Sequence, residues 1–289
     1  YFEEKNCDYV ILETGLGGRL DSTRAVQRIP DVTVITAIGF DHEAILGNTI
    51  EQIAGEKAGV IREKTRVVMA RMDAKAQKVI RDTCEKKGVL YCYGEEADLS
   101  EYLSKEDHLG LLGAYQKENA ENAVMAVKLL DKKEIDTQAI RRGLTKARWP
   151  GRMDVLSEDP FILVDGAHNP QGVEALRVSL LSLYPREKFI YIFGVMADKD
   201  YEHMLLSMLG TEEMFFTVTV EDARAEKSER IAKFLKEKGG RAKACQSISE
   251  AFSKAAYLQK TTGEKIVAFG SLYFIGEVLR LIKKEEIYG

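Results

Sequence analysis

The chain has 289 residues, a length that suits two domains of about 150 residues each. Its 42 basic and 46 acidic residues are well mixed and leave a net charge of −4, which argues against a nucleic-acid binder with its basic stripe. No apolar run approaches the roughly 20 residues of a membrane span. No signal peptide is visible, and the four cysteines (Cys7, Cys84, Cys92 and Cys245) form no CxxC pair, so a reduced, cytoplasmic setting fits best.

Residues 8–13, DYVILE, read as a strand. A strand so close to Tyr1, with no initiating Met, raises the expectation of a missing N-terminal part. Three glycines follow in the run Gly15-Leu16-Gly17-Gly18, where backbone N–H groups can approach a ligand closely. The run is not GxxxxGK[ST], and position 20 is Leu, so GxGxxG fails as well. Glu13, at the expected strand end, is a natural hard ligand for Mg²⁺; a solvated carboxylate on a plain turn is the alternative.

Residues 31–36 read as a buried strand, broken at Gly39. Asp41 and His42 then lie just past the strand's C-terminal end, where open α/β sheets bind ligands. After a second break at Leu46-Gly47-Asn48, Thr49 can cap a helix with Ile50, Ile53, Ala54 and Ala58 on its apolar side. That helix carries Glu56 and Lys57 and ends near Gly59, so Glu13, His42 and Lys57 map to one sheet edge. Strands over 65–70 and 89–93 flank an amphipathic helix over 73–87. Helices follow over 117–130, with Ala120, Ala123, Val124, Val127 and Leu130 inward, and over 136–147.

Trp149-Pro150-Gly151-Arg152 marks the best domain boundary, with Trp149 placed to anchor the junction and Arg152 to reach across a cleft. The domains are therefore expected at 1–148 and 149–289. In the second, PFILVD is a strand, Asn169 a helix cap and Pro170 the first helical residue. Helices over 171–183, 227–238 and 248–260 alternate with strands over 188–193, 214–220 and 265–269, and a final helix closes the chain. Such alternation predicts a mostly parallel sheet covered on both faces. Asp165, His168, Asp198, Lys199, Arg224 and Ser271 should then gather at its C-terminal edge.

Taken together, the motifs ETGLGGRLDST, GFDH–x3–LG–x–T–x3–IA–x–EKAG, G–x2–Q–x2–NA, WPGR, VDGAHNP, FG–x3–DKD and FGSLYFIGEV closely resemble folylpolyglutamate synthase. Bacterial members often combine that activity with dihydrofolate synthase, and the family sits within the Mur ligases. The resemblance runs in order over nearly the whole chain. It implies an α/β fold of two domains, a partial Mur-ligase central nucleotide-binding domain and a C-terminal Rossmann-like domain. It also implies an ATP-dependent amide ligase that joins L-glutamate to a folate or dihydropteroate through an acyl phosphate. The implied cofactors are ATP and Mg²⁺, with an accessory K⁺, and the implied protein is a cytoplasmic monomer without nucleic-acid or membrane partners.

Carried over by position, Glu13 and His42 match the Mg²⁺ ligands, and Lys57 matches a lysine that is carbamylated in the family. Gln116 and Asn119 match nucleotide-side positions, and Arg152 an arginine that reaches the ATP phosphates. Asp165 matches the ribose contact, and His168 lines the interdomain site. Three departures stand out. The glycine-rich P-loop of GTNGKGS type has no counterpart; it is expected before Tyr1, and the 289 residues alone are expected to be inactive or severely impaired. Arg24 replaces the usual Asn, and Tyr115-Gln116 replaces HQ; these two either alter substrate preference or are neutral. A peptidoglycan-type Mur ligase and a non-catalytic nucleotide- or glutamate-binding fragment are the alternatives, with a dinucleotide-dependent dehydrogenase behind them.

Overall fold

The computed structural model describes residues 1–2, 4–132 and 134–283. The chain divides into one unit of residues 1–107 and 117–143 and a second of residues 108–116 and 144–289, so segment 108–116 is grouped with the later residues.

The first unit is built on three parallel strands, β1 (Val32–Ile35), β2 (Arg66–Met69) and β3 (Leu90–Tyr93), in that order. Between β1 and β2 lie a single turn, α1 (Glu43–Leu46), and the helix α2 (Ile50–Ala58). Thr49 caps α2 by accepting the Gln52 N–H at 3.2 Å. The residues α2 buries, Ile50, Ile53, Ala54 and Ala58, are the ones its spacing predicts. Removing one side chain such as Ile53 from water stabilises the unit by about 1.5–3 kcal/mol. The helix α3 (Ala74–Lys87) buries Ala76, Ile80 and Cys84 at intervals of four against the same core and ends at Gly88, whose φ of +63° closes the cap.

Residues 8–13 do not form the expected strand. They join no ladder, and the apolar side chains of Tyr9, Val10, Ile11 and Leu12 are exposed, Ile11 at 95%. Among the described residues only β2 pairs with β1, and residues 8–13 do not take up the open outer edge of β1.

Helices α4 (Gln116–Leu130) and α5 (Thr137–Lys146) follow. Along α4, Ala120 and Val124 are buried as expected, but Ala123 faces out and Asn122 is buried instead. The reason is Gly94: a Cβ there would fall 1.9 Å from the Asn122 amide oxygen, so only glycine admits this approach.

The second unit is a six-stranded sheet in the order β4-β5-β9-β6-β7-β8. Its strands are β4 (Asp154–Glu158), β5 (Phe161–Val164), β6 (Phe189–Phe193), β7 (Glu212–Thr217), β8 (Ala242–Ala244) and β9 (Lys265–Phe269). All pairings are parallel except the hairpin of β4 with β5. Alternate strand residues face opposite layers. Leu163, Tyr191, Phe215 and Val267 pack with α6 (Pro170–Leu183), α7 (Tyr201–Met208) and α8 (Ser228–Glu237). Ile162, Ile190, Phe216 and Ile266 pack with α9 (Ile248–Thr262) and α10 (Leu272–Lys283). Tyr191, deep in the first layer, meets Phe215 at 4.9 Å between ring centroids, and its hydroxyl bonds Thr211 at 2.8 Å, so no polar group is stranded there. Because the strands run parallel, the loops after β5, β6, β7 and β9 open on one edge, the edge that carries Asp165, Asp198, Arg224 and Ser271. Among the described residues no helix is long and apolar enough to cross a membrane.

Candidate functional site

In the first unit the glycine run is organised by one carboxylate. Asp21 accepts the N–H groups of Gly15 at 2.9 Å, Leu16 at 3.2 Å and Thr23 at 2.9 Å, and the Thr23 hydroxyl at 2.6 Å. The Thr23 bonds, with those from Leu16 and Gly15, hold its carboxyl down at about 2. The run packs on the end of α2. A Cβ on Gly18 would lie 2.8 Å from the Lys57 carbonyl and 2.9 Å from that of Glu56, and one on Gly17 would lie 3.0 Å from Leu46 of α1. Arg19 donates to the Glu56 carboxylate, and Arg24 donates to the Gly59 carbonyl at 2.6 Å. Arg62 ties the following loop down through the carbonyls of Val26 and Gln27. The glycine run is thus packed against α1 through Gly17 and against the end of α2, which carries Lys57, through Gly18.

The side chains themselves differ. Glu13 is exposed in the irregular segment 8–14. His42 stands seven residues beyond the end of β1, not directly after it, with a left-handed φ of +53° and an exposed ring. Its Nε2 is 3.8 Å from Asp41, whose Oδ1 accepts the His42 N–H at 2.9 Å. Lys57 is half-buried in the last turn of α2, and its ammonium has no hydrogen bond or ion pair among the described residues. No three His, Cys, Asp or Glu side chains among those residues converge as a metal-binding group. Glu13 is an exposed carboxylate, the donor type that suits Mg²⁺, which keeps several waters and takes phosphate oxygens into its shell.

In the second unit, Asp165 follows β5 and is 3% exposed. Its Oδ2 accepts the Met153 N–H and its Oδ1 the Ala167 N–H, both at 2.8 Å. Burial pushes its carboxyl up, against the pull of those two N–H groups and of the Arg152 and His168 charges. Arg152 and His168 are half-buried, and His168 Nδ1 lies 2.9 Å from the Gly166 carbonyl. Asn169 caps α6 by accepting the Gly172 N–H at 2.7 Å, with Pro170 at the first helical position. Asp200 and Ser271 are occupied as helix caps of α7 and α10. Gln116 is buried at the start of α4, and Asn119 is exposed one turn on. Trp149 is 60% exposed, and its turn carries the backbone bonds Arg152 N–H to the Trp149 carbonyl at 3.2 Å and Gly166 N–H to the Gly151 carbonyl at 2.7 Å.

The packing of Tyr115 and the backbone of Met153 escape sequence reasoning. Tyr115 packs over Gly113, where an added Cβ would lie 3.0 Å from its ring, and against Met153 in the core. Burial, then the nearby Asp165 charge, pushes its phenol up to about 12. Met153 is a non-glycine residue at φ +44°, for which no sequence signal exists. The paired close approaches at Gly18 and Gly59 join residues some forty positions apart and had no sequence signal.

Residues 151–272 match the family model described as "Mur ligase, glutamate ligase domain". Over 98% of its length the chain is 34% identical to dihydrofolate synthase/folylpolyglutamate synthase of Bacillus subtilis, covering 70% of that protein. A structure of Mycobacterium tuberculosis folylpolyglutamate synthase complexed with ADP and AMPPCP superposes with a TM-score of 0.86 at 26% identity, over 97% of this chain and 70% of that one. E. coli FolC in complex with DHPP and ADP gives 0.83 at 26% identity, over 98% and 68%.

Proposed function

The chain belongs to the dihydrofolate synthase/folylpolyglutamate synthase family, and from that premise we propose that it joins L-glutamate to a folate-type carboxylic acid at the expense of ATP. What carries this is the extent of the likeness: 34% identity runs through 98% of the chain and so takes in both the EKAG helix and the DGAHNP turn. In the reaction the acceptor carboxylate attacks the γ-phosphorus, the bond to ADP breaks, and an acyl phosphate forms. The α-amine of glutamate then attacks the acyl carbon, phosphate departs, and the nitrogen loses its extra proton. Such chemistry needs positioning and charge neutralisation more than covalent help from the protein.

Each unit offers groups suited to part of this task. Glu13 and His42 would hold Mg²⁺, which neutralises phosphate charge when bound, and an accessory K⁺ would serve the same region. Lys57, without a partner among the described residues at the end of α2, is the position for a carbamate, which would change a cation into an anion. Arg152 supplies positive charge to phosphate oxygens, and His168 lines the reacting region. Gln116, Asn119 and the Asp165 turn serve the nucleoside. The protein would act in the cytoplasm as a monomer on small molecules alone.

The test is phosphate release from ATP by the purified protein with Mg²⁺, bicarbonate and glutamate, given dihydropteroate or tetrahydrofolate. Release that requires both the pterin acid and glutamate establishes the ligase and its acceptor. Release driven equally by a peptidoglycan-type acceptor overturns the folate assignment.

A further inference from the structure

We infer that Arg224 is a specificity-determining residue of the second unit, whose guanidinium receives a carboxylate of the incoming glutamate. The inference rests on the ligase reading above for the identity of the amino acid, while its structural ground stands apart from it. That substrate carries two carboxylates, and only its α-amine reacts. A site that prefers it to a neutral amide of the same shape needs a fixed cation for one of them.

Arg224 is fixed through both its main chain and its side chain. Its carbonyl accepts the Ala197 N–H at 2.7 Å, and Ala225 bridges Met196 in antiparallel fashion, so the loop after β7 is bound to the loop after β6. The same loop is bound to α10, where Glu277 Oε1 accepts the Glu221 N–H at 3.2 Å. The guanidinium gives one edge to Asp222: Nε donates to Oδ1 at 3.1 Å and Nη2 to Oδ2 at 3.0 Å. Asp222 is itself aimed by the Arg224 N–H, at 2.8 Å. The guanidinium carbon lies 5.4 Å from the ring centroid of Tyr273, in the first turn of α10. The elements that follow the neighbouring strands β9, β6 and β7 thus converge on one cation.

The side chain of Arg224 is 61% exposed although it is held on two sides. Asp222 takes two of its five N–H groups. Even with a third given to the neighbouring Tyr273 hydroxyl, two remain for a carboxylate. An exposed ion pair kept for stability alone contributes little, and it needs neither the planar fork nor the ring beneath it. A fork held in advance loses little rotamer freedom when a ligand arrives, and its plane matches the two oxygens of a carboxylate.

The experiment is equilibrium dialysis of radiolabelled L-glutamate, with ADP and Mg²⁺ present, against the wild-type protein, Arg224→Ala and Arg224→Lys. Glutamate binding should weaken roughly 10- to 100-fold in Arg224→Ala, the scale of hydrogen bonds to a charged group, with ADP binding unchanged. Arg224→Lys keeps the charge and loses the fork, so its affinity should fall between the two. Competition by L-glutamine, neutral at the side chain, and by L-isoglutamine, neutral at the α-carboxyl, identifies the carboxylate. The amide that binds equally to wild type and Arg224→Ala lacks the group that Arg224 reads. An equal penalty for glutamate and both amides would overturn the assignment, as would no penalty at all or a wild-type protein that binds no glutamate. Glutamate binding without phosphate release in the full reaction mixture would end the ligase reading and leave the Arg224 result to stand by itself. If circular dichroism shows Arg224→Ala unfolded, Arg224→Lys carries the same comparison.

Discussion

Arg24 Nη1 donates to the Gly59 carbonyl at 2.6 Å, which ties the loop after the glycine run to the C-terminal end of the helix that carries Lys57. A cation at a helix C-terminus also meets the negative end of its dipole. Arg24→Ala is expected to cost about 1 kcal/mol of stability, the worth of one such bond. Urea unfolding of the two proteins measures it, and an unchanged midpoint would mean the contact is idle.

Lys57→Ala should behave in the opposite way. The ammonium has no partner among the described residues, so little stability depends on it. Phosphate release should nevertheless fall on the order of 10²- to 10³-fold, the scale of losing one transition-state electrostatic group. Removing bicarbonate from the wild type should reproduce part of that fall, and intact-mass measurement should show the carbamate lost with it.

Gly18→Ala tests the packing of the glycine run. The new Cβ would sit 2.6 Å from Val60 and under 3 Å from two backbone carbonyls of α2, atoms that cannot swing aside. A loss of about 1–3 kcal/mol is expected, with a drop in ligase activity beyond what the loss of folded protein explains. Circular dichroism melts beside activity at a temperature where both proteins are folded separate the two effects.

The Asp21 carboxyl, held at about 2 chiefly by Thr23, gives the glycine run an acid limit. An unperturbed aspartate titrates near pH 3.9. A depressed folded-state value means the contribution is fully present above about pH 4 and is lost as pH falls towards 2. Asp21→Asn should remove this pH dependence, and NMR titration of the Asp21 carboxyl locates the midpoint. A midpoint near 4 in the folded protein would contradict the bonding described.

Much of the frame was legible because it depends on local signals. Thr49, Asn169 and Pro170 are helix starts by their own chemistry, and the spacing of Ile50, Ile53, Ala54 and Ala58 fixes the buried side of α2. The alternating elements of the second unit require a parallel sheet, and that sheet aligns Asp165 with Arg224 and Ser271. Tertiary partners decided the rest. The residues of 8–13 have strand composition but pair with no strand, and β4 and the three-residue β8 are strands only through their neighbours. Asn122 displaces Ala123 from the buried side because Gly94 lets it approach, and Trp149 stays largely exposed. Asp165 reads from its motif as a ligand group; its burial and its two N–H partners depend on tertiary packing and had no sequence signal.

The β1 edge left unpaired among the described residues and the exposed apolar row of Tyr9 to Leu12 bear on how this chain behaves in concentrated solution. An open strand edge offers a template to other chains, and an exposed apolar run adds stickiness without specificity. Light scattering should rise with concentration and salt well before the fold melts. Ile11→Lys, at a position 95% exposed, should delay that onset without altering the melting temperature. Colloidal tolerance and folding stability are then separate properties of this chain, governed by different residues.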